Sequence, residues 1–201
     1  MVYRKTPATE ARKQARREAI LATATRLFGS YGYHLTTVPM IVAESGSSTG
    51  SFYAHFQNKE DVFAAALEAI DRKVTLVVHQ ARDSQTDPLL AISSAVEELF
   101  LFLAANPKDA RILIVESSGL SPRLEQIRRG ILRRQAEEVR LLLAPAADVI
   151  VVADLAIAAR CLVGAVYESL TSWLEQNPEE RTSAAEVARA VAHYNTRALR
   201  R

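Results

Sequence analysis

The chain has 201 residues, 49% of them hydrophobic and 24% charged, which is ordinary for a globular protein with a substantial buried core. Its single cysteine, Cys161, excludes an internal disulfide framework and is typical of the cytoplasm, and the charged N-terminus lacks the apolar stretch of a secretory signal. Residues 1–59 carry a net charge of +5 and residues 60–201 a net charge of −3, so the basic excess favours a polyanionic partner for the N-terminal part.

The first predicted helix runs from about Thr9 to Ser30 and carries basic pairs one turn apart near its start. By itself such a run is most often a solvated helix face. Its position directly before the motif described next favours contact with phosphate groups instead. The candidates for this contact are Arg12 and Arg16, within the pairs Arg12-Lys13 and Arg16-Arg17.

Two short helices joined by a tight turn are predicted next. Thr37 is placed to cap the first helix, which ends at Ser45-Gly46 because glycine can adopt the left-handed conformation that closes a helix. Ser48 is placed to cap the second, which covers Thr49 to about Tyr53. A compact helix-turn-helix unit of this kind fits the major groove of DNA.

This segment resembles the DNA-binding domain of TetR/AcrR-type bacterial transcriptional regulators, whose pattern is roughly T-x-I-A-x-x-A-G-V-S-x-G-x-L-Y-x-H-F-x-x-K-E. The resemblance covers about the first third of the chain. Departures at Pro39, Val42, Ser45 and Ser47 bear on the packing angle of the two helices. The matching positions are Thr37, Ile41, Ser45-Gly46, Ser48, Gly50, Phe52-Tyr53, His55-Phe56 and Lys59-Glu60.

The resemblance implies that the second short helix is the recognition helix. Ser47, Thr49 and Ser51 would face base edges, and Gly50 would allow close approach of the backbone. None of these is Arg, Lys, Asn or Gln, so specificity would depend on van der Waals contacts, water and DNA shape. The positions implied to contact phosphate are Thr37, Ser48, Tyr53, His55 and Lys59.

The rest of the sequence predicts six further helices, begun by capping residues and ended by polar or proline breaks. They run from Asn58 to about Arg82, Asp87-Pro88 to Asn106, Lys108 to Glu116, Ser121-Pro122 to near Leu143, Val152 to Gln176, and Thr182-Ser183 to the C-terminus. The predicted fold is therefore all-α with about nine helices: a helix-turn-helix domain over residues 1–57, including a basic arm over 1–17, and a larger helical domain over 58–201.

Two of the later helices are apolar on nearly every side, at Leu99–Leu103 and at Leu155–Tyr167. The most apolar run of the chain, Val149 to Tyr167, is interrupted by Asp154 and Arg160, so we expect a buried helix there and not a membrane span. A buried core helix explains any single residue. Taken together, these helices carry more apolar surface than a core easily accommodates. That excess is easier to explain if part of it lines a cavity and part forms a subunit interface.

The resemblance implies that the last two helices form a four-helix homodimer interface and that the middle helices enclose a cavity for a small apolar or amphipathic ligand. The interface candidates are Leu162, Val166, Leu170, Leu174, Val187, Val191 and Tyr194. The cavity candidates are Phe100, Leu103, Ile114, Leu124, Tyr167 and Trp173.

The sequence gives little support to the hypothesis that the protein is an enzyme. Residues 46–50 match the nucleophile-elbow pattern G-x-S-x-G, but a helix precedes them where that motif needs a strand. The four histidines, His34, His55, His79 and His193, lack metal-ligand spacing, so we expect no metal, no cofactor and no enzyme activity. Two functions compete: a ligand-responsive regulator, most often a repressor in the resembling family, that binds a palindromic operator as a dimer, and a helical binding module or enzyme with an incidental helix-turn-helix. The charge asymmetry and the motif spacing favour the regulator.

Overall fold

The computed structural model describes residues 7–152 and 154–199, without the side chains of residues 148 and 149. These residues form nine α-helices and no β-strand, which confirms the predicted all-α fold. A π-helical segment, Arg111–Glu116, directly follows α6, and a 3-10 segment, Ala144–Val149, follows α7. The α-helices are α1 Pro7–Leu35, α2 Val38–Glu44, α3 Thr49–Tyr53, α4 Lys59–Asp83, α5 Pro88–Ala105, α6 Pro107–Ala110, α7 Pro122–Leu143, α8 Leu155–Glu175 and α9 Ala184–Arg197.

Capping residues fix most of the helix starts where the sequence predicts them. The hydroxyl of Ser48 accepts a hydrogen bond from the Ser51 amide at 3.1 Å, and the Asn58 side chain accepts one from the Asp61 amide at 2.9 Å. Such bonds satisfy amides that the first helical turn leaves without partners. The predicted caps Thr37, Asp87, Ser121 and Ser183 make equivalent bonds.

The first helix extends five residues past its predicted end at Ser30, but not as a regular helix. Gly32 has a φ of 81° and a ψ of 168°, so the helical path is kinked there. The carbonyl oxygen of Gly32 accepts hydrogen bonds from both the amide and the hydroxyl of Thr36. This kink closes α1 immediately before α2.

The first of two compact units ends at Ala69. Its core contains Phe28 and Phe63, whose rings meet edge to face with centroids 4.9 Å apart. Phe52 and Phe56, two positions of the family pattern, are buried. Phe28 and Phe63 thereby join α1 to the start of α4, and Phe56 lies beside Arg17 of α1. The domain boundary placed after residue 57 remains a prediction.

The second unit starts at Ile70. Within it α5 packs mainly on α9, and α7 packs mainly on α8. Phe100 of α5 meets Trp173 of α8 edge to face, with ring centroids 5.8 Å apart. The indole nitrogen of Trp173 donates to the Thr182 carbonyl at 2.8 Å, and the Arg181 guanidinium lies 4.3 Å from the indole centre. These contacts hold the connection between α8 and α9.

Two helices, α5 and α8, are long and apolar enough to cross a membrane by length and composition. Core helices of soluble proteins meet the same criterion. Both helices have buried faces here, and Phe100, Leu103, Leu162 and Leu170 are all inaccessible or nearly so. The helix that was predicted to be buried, α8, is thus buried on one face only, since Ile157 and Cys161 on it are exposed.

Candidate nucleic-acid interface and ligand cavity

The turn between α2 and α3 is closed by backbone hydrogen bonds. The Ser47 amide donates to the Val42 carbonyl at 3.2 Å, and the Gly46 amide donates to the Ala43 carbonyl at 3.4 Å. Gly46 has a φ of 60°, the left-handed conformation that the sequence predicts for this position. The turn therefore presents α3 as a separate short helix after α2.

The surface of α3 carries small polar groups and one aromatic ring. Thr49 and Gly50 are exposed, Ser51 is half-buried, and Tyr53 is 54% exposed. A side chain added at Gly50 would meet nothing within 4 Å, so the backbone is open there to a large partner. This face combines access to the backbone with hydroxyl groups that can donate to or accept from base edges.

The sequence predicts that Ser47 faces base edges, but its side chain is not exposed in this way. Its hydroxyl oxygen is buried and has no hydrogen-bond partner among the residues that the structure describes. The reason is that Ser47 lies in the turn, two residues before α3 begins, and its amide is tied back to the end of α2. The structure thus removes Ser47 from the exposed face of α3.

A basic cluster, defined here as Lys13, Arg16, Arg17 and His55, joins α1 to the end of α3. Burial lowers the pKa of His55, and the nearby cations Lys13, Arg17 and Arg16 lower it further. The Arg17 guanidinium lies 5.0 Å from the centre of the Phe56 ring, and Arg16 donates to the Gly46 carbonyl at 3.3 Å. The basic pairs of α1 therefore lie beside the turn, where they can reach phosphates flanking a groove.

The residues predicted to contact phosphate differ in their position around this cluster and in their hydrogen bonds. Thr37 and Ser48 are exposed, and each hydroxyl oxygen accepts an amide hydrogen bond while its own proton stays available to a phosphate oxygen. Arg12 is exposed on α1. Lys13 and Arg17 are not among the predicted phosphate contacts, although the run of basic residues in α1 contained the signal for both.

Lys59 makes contacts that the sequence did not predict. Its ammonium donates to the carbonyl oxygens of Tyr33 at 2.8 Å and of His34 at 3.4 Å, and lies 4.2 Å from the centre of the Tyr33 ring. Burial lowers the pKa of Lys59. In this conformation the ammonium is bound to the end of α1, where carbonyl groups lack helical partners.

The second unit contains an apolar cavity of about 70 Å³ between α4, α5, α7 and α8. Of the predicted cavity residues, Tyr167 lines it. Phe100, Leu103 and Leu124 are instead fully buried in helix packing, Trp173 packs on Phe100, and Ile114 is half-buried in the π-helical segment. The apolar lining that sequence reasoning missed includes Val74, Val78, Ile92, Leu99, Val139 and Leu142.

Several predicted interface residues have little surface to offer a second subunit. Leu162 and Val166 line the cavity, and Leu170 and Val191 are also buried within this chain. The cause is that the inward face of α8 packs against its own neighbours. Leu174 and Val187 are half-buried, whereas Tyr194 is 67% exposed and remains an accessible candidate.

One edge of the cavity is polar. The Tyr167 hydroxyl donates to the Gln135 side-chain oxygen at 3.0 Å, and the Gln135 amide donates to Asp71 at 3.3 Å. Asp71 is buried and also accepts from Arg134 at 2.6 Å. Burial raises the pKa of Tyr167, so its hydroxyl stays protonated.

Residues 20–66 match the family described as "Bacterial regulatory proteins, tetR family". The "Uncharacterized HTH-type transcriptional regulator YxaF" of Bacillus subtilis (strain 168) is 40% identical over 83 residues, which are 41% of this chain and 44% of that protein. The regulator LmrA of the same strain is 36% identical over 84 residues, 41% of this chain and 45% of that protein. The chain thus spans less than half the length of these two relatives.

Two solved structures share the fold over most of the chain. The SmeT–triclosan complex has a TM-score of 0.80 at 24% identity, covering 94% of this chain and 93% of that one. FadR from Bacillus subtilis in complex with stearoyl-CoA has a TM-score of 0.79 at 18% identity, covering 90% and 98%. The match of residues 20–66 confirms the resemblance of this segment to TetR-type regulators, and the two solved structures show the fold of the chain.

Proposed function

We propose that this protein is a ligand-responsive transcriptional regulator of the cytoplasm. It binds a palindromic operator as a homodimer, acts as a repressor, and is released by a small apolar or amphipathic effector. The observation that carries the proposal is the basic cluster beside the exposed face of α3. That arrangement combines cations for phosphates with a short, open helix surface for bases.

DNA contact in this proposal divides between two sets of groups. The face of α3 at Thr49, Gly50 and Ser51 enters the major groove, where small side chains bring the backbone close to the bases. The basic cluster and Tyr53 bind flanking phosphates and so supply most of the affinity. Because α3 lacks bidentate donors, we expect modest base discrimination and a contribution from DNA shape.

The cavity supports the effector part of the proposal. Its volume of about 70 Å³ is far below the roughly 300–1,000 Å³ of pockets for drug-sized ligands. A ligand of that size must therefore expand it, which makes the liganded conformation different from the present one. An effector weakens DNA binding only if it binds the two conformations with different affinity, and this expansion supplies such a difference.

The comparisons support a small-molecule effector in a general way. Triclosan is bound to SmeT and stearoyl-CoA to FadR from Bacillus subtilis, both of which share this fold. The mainly apolar cavity lining here favours an effector with a substantial apolar part.

A fluorescence-anisotropy titration tests the proposal. The full chain is titrated onto labelled duplex from its own upstream intergenic region and onto a scrambled duplex, at two salt concentrations. Tighter binding to the native duplex is expected, with affinity falling by roughly 0.9 logarithmic units per phosphate contact for each tenfold rise in salt. Absence of binding to both duplexes, or a strictly monomeric protein on the operator, would contradict it.

A further inference from the structure

A groove of about 740 Å³ runs along the outer faces of α7 and α8, next to the cavity. Its lining is apolar at Leu132, Ala136 and Val163, and Gly164 leaves room on the α8 side. Around these groups stand five arginines and one acid: Arg128, Arg129, Arg133, Arg140, Arg160 and Glu137. An apolar surface bordered mainly by guanidinium groups suits a ligand with both an apolar and an anionic part.

Three of the five arginines are already paired. Arg128 donates to Glu125 at 3.0 and 2.9 Å, Arg129 donates to Glu125 at 2.7 Å, and Arg140 donates to Glu137 at 2.8 and 2.7 Å.

The other two arginines are exposed. Arg133 on α7 and Arg160 on α8 form no ion pair with any residue that the structure describes. The groove therefore carries an uncompensated positive charge on both helices, which an anionic head group would neutralise.

The groove borders the cavity and shares two lining side chains with it. Val163 and Tyr167 line both spaces, so they separate one from the other. The hydrogen bond from the Tyr167 hydroxyl to Gln135 holds this separation. A ligand that reaches from the groove into the cavity must therefore displace the Tyr167 ring.

We propose that the groove binds a single-chain anionic amphiphile. Its head group lies between Arg133 and Arg160, and its apolar chain passes Tyr167 into the cavity, expanding it. The proposal rests on the proposed function only for the regulatory consequence, since binding itself can be measured without DNA.

Isothermal titration of the DNA-free full chain with dodecanoate, below its micelle concentration, tests the head-group site. Dodecan-1-ol has the same chain without the charge and is the neutral control. We expect dodecanoate to bind at one site per chain, about tenfold or more tighter than the alcohol, because the head group gains charge-assisted hydrogen bonds. Equal affinities, or no binding of dodecanoate, would overturn the proposal.

Variants separate the charge of the groove from its shape. R133Q combined with R160Q should weaken dodecanoate binding by about tenfold and leave dodecanol binding unchanged. R72Q, which removes an exposed arginine outside the groove lining, should change neither affinity. Equal losses in R72Q and in the double variant would overturn the head-group assignment.

Gly164 offers a direct obstruction of the groove. A Cβ at this position meets nothing within 4 Å, and an exposed helix favours other residues over glycine, so G164F should fold while filling the groove. G164F should abolish saturable dodecanoate binding, and G164A should retain it. Unchanged binding by G164F would place the ligand elsewhere.

Two outcomes distinguish this inference from other readings. The groove could instead receive a second copy of the chain. In that case the double arginine variant will have a different sedimentation coefficient from the wild type, and the wild type will not bind dodecanoate. That result overturns the inference. If dodecanoate binds as expected while the intergenic DNA does not, the groove assignment holds and the proposed regulatory function fails.

Discussion

The ammonium of Lys59 and the carbonyl oxygen of Tyr33 are 2.8 Å apart, and the same ammonium lies 4.2 Å from the centre of the Tyr33 ring. One cation at the start of α4 thus binds both the backbone and the side chain at the end of α1. A residue whose motif position suggests DNA contact therefore also stabilises the unit that carries the motif.

Replacing Lys59 with methionine keeps much of the apolar stem and removes the ammonium. We expect the free energy of unfolding to fall by about 1–2 kcal/mol, since a hydrogen bond from a charged donor and a cation–π contact are lost. Urea denaturation followed by circular dichroism measures the change. K108M removes an exposed lysine of α6 and is the control; equal midpoints for the two variants would contradict a stabilising role for Lys59.

Replacing Lys13 and Arg16 with glutamine tests the basic cluster. We expect weaker binding to native and scrambled duplexes alike, and a salt slope lower by roughly 1–2, because each phosphate contact contributes about 0.9 to that slope. Anisotropy titrations between low and moderate salt give the slope. R189Q on α9 is the matched control. A selective loss on the native duplex would mean that these side chains read bases.

Tyr53 and Tyr31 form a matched pair, since they are 54% and 51% exposed. We expect Y53F to reduce DNA affinity by about fivefold, which corresponds to one hydrogen bond of about 1 kcal/mol, and Y31F to leave it unchanged. Both variants should unfold at the same denaturant concentration as the wild type. Equal effects of the two substitutions on DNA affinity would remove Tyr53 from the phosphate contacts.

His55 predicts a pH dependence of DNA binding. Burial and the cations of the basic cluster lower its pKa below 6.5 in the free protein, whereas DNA phosphates would raise its pKa in the complex. The complex then binds more protons than the free components, so affinity should rise as pH falls from 7.5 to 6. The change should be steepest at the lower end of this range, where the imidazole in the complex takes up its proton. H55Q should remove this dependence; a variant that keeps the wild-type profile would assign the proton uptake to another group.

Tyr167 predicts an alkaline dependence of stability. Burial raises its pKa, so the folded state retains the phenolic proton above the ordinary value of 10.0 at which the unfolded state releases it. Its contribution to stability is therefore present below about pH 10 and is lost as pH rises through the folded-state pKa. Y167F should flatten the decline in urea midpoint between about pH 9.5 and 11, at a cost near 1 kcal/mol at neutral pH. An unchanged alkaline profile would contradict burial of the hydroxyl.

Helix positions could be predicted because their signals are local. Asp87-Pro88 and Ser121-Pro122 place a capping oxygen and a proline at the first turn, and both helices start there. The π-helical hydrogen bonding of Arg111–Glu116 was not visible, because its residues suit a regular helix equally well. The contact of Lys59 with Tyr33 spans 26 residues and depends on how the helices pack.

Sequence patterns could not predict which apolar residues line the ligand cavity. Leu99 and Phe100 are neighbours on α5, both apolar, yet Leu99 lines the cavity while Phe100 packs against Trp173. Which of two adjacent apolar residues faces a void depends on small rotations of several helices. The α2–α3 turn, by contrast, could be predicted down to the position of Gly46. Few residue types other than glycine readily adopt its φ of 60°.

The buried hydroxyl of Ser47 has a kinetic consequence. An unpaired hydroxyl loses its hydration on burial without gaining a partner, a cost of about 1–3 kcal/mol that is recovered when the turn opens to water. We therefore expect the amides of the α2–α3 turn to exchange with deuterium faster than those in the middle of α1. In the proposed DNA complex, a turn that opens at low cost would let α3 tilt to fit a groove whose width varies with sequence, while the aromatic core stays folded.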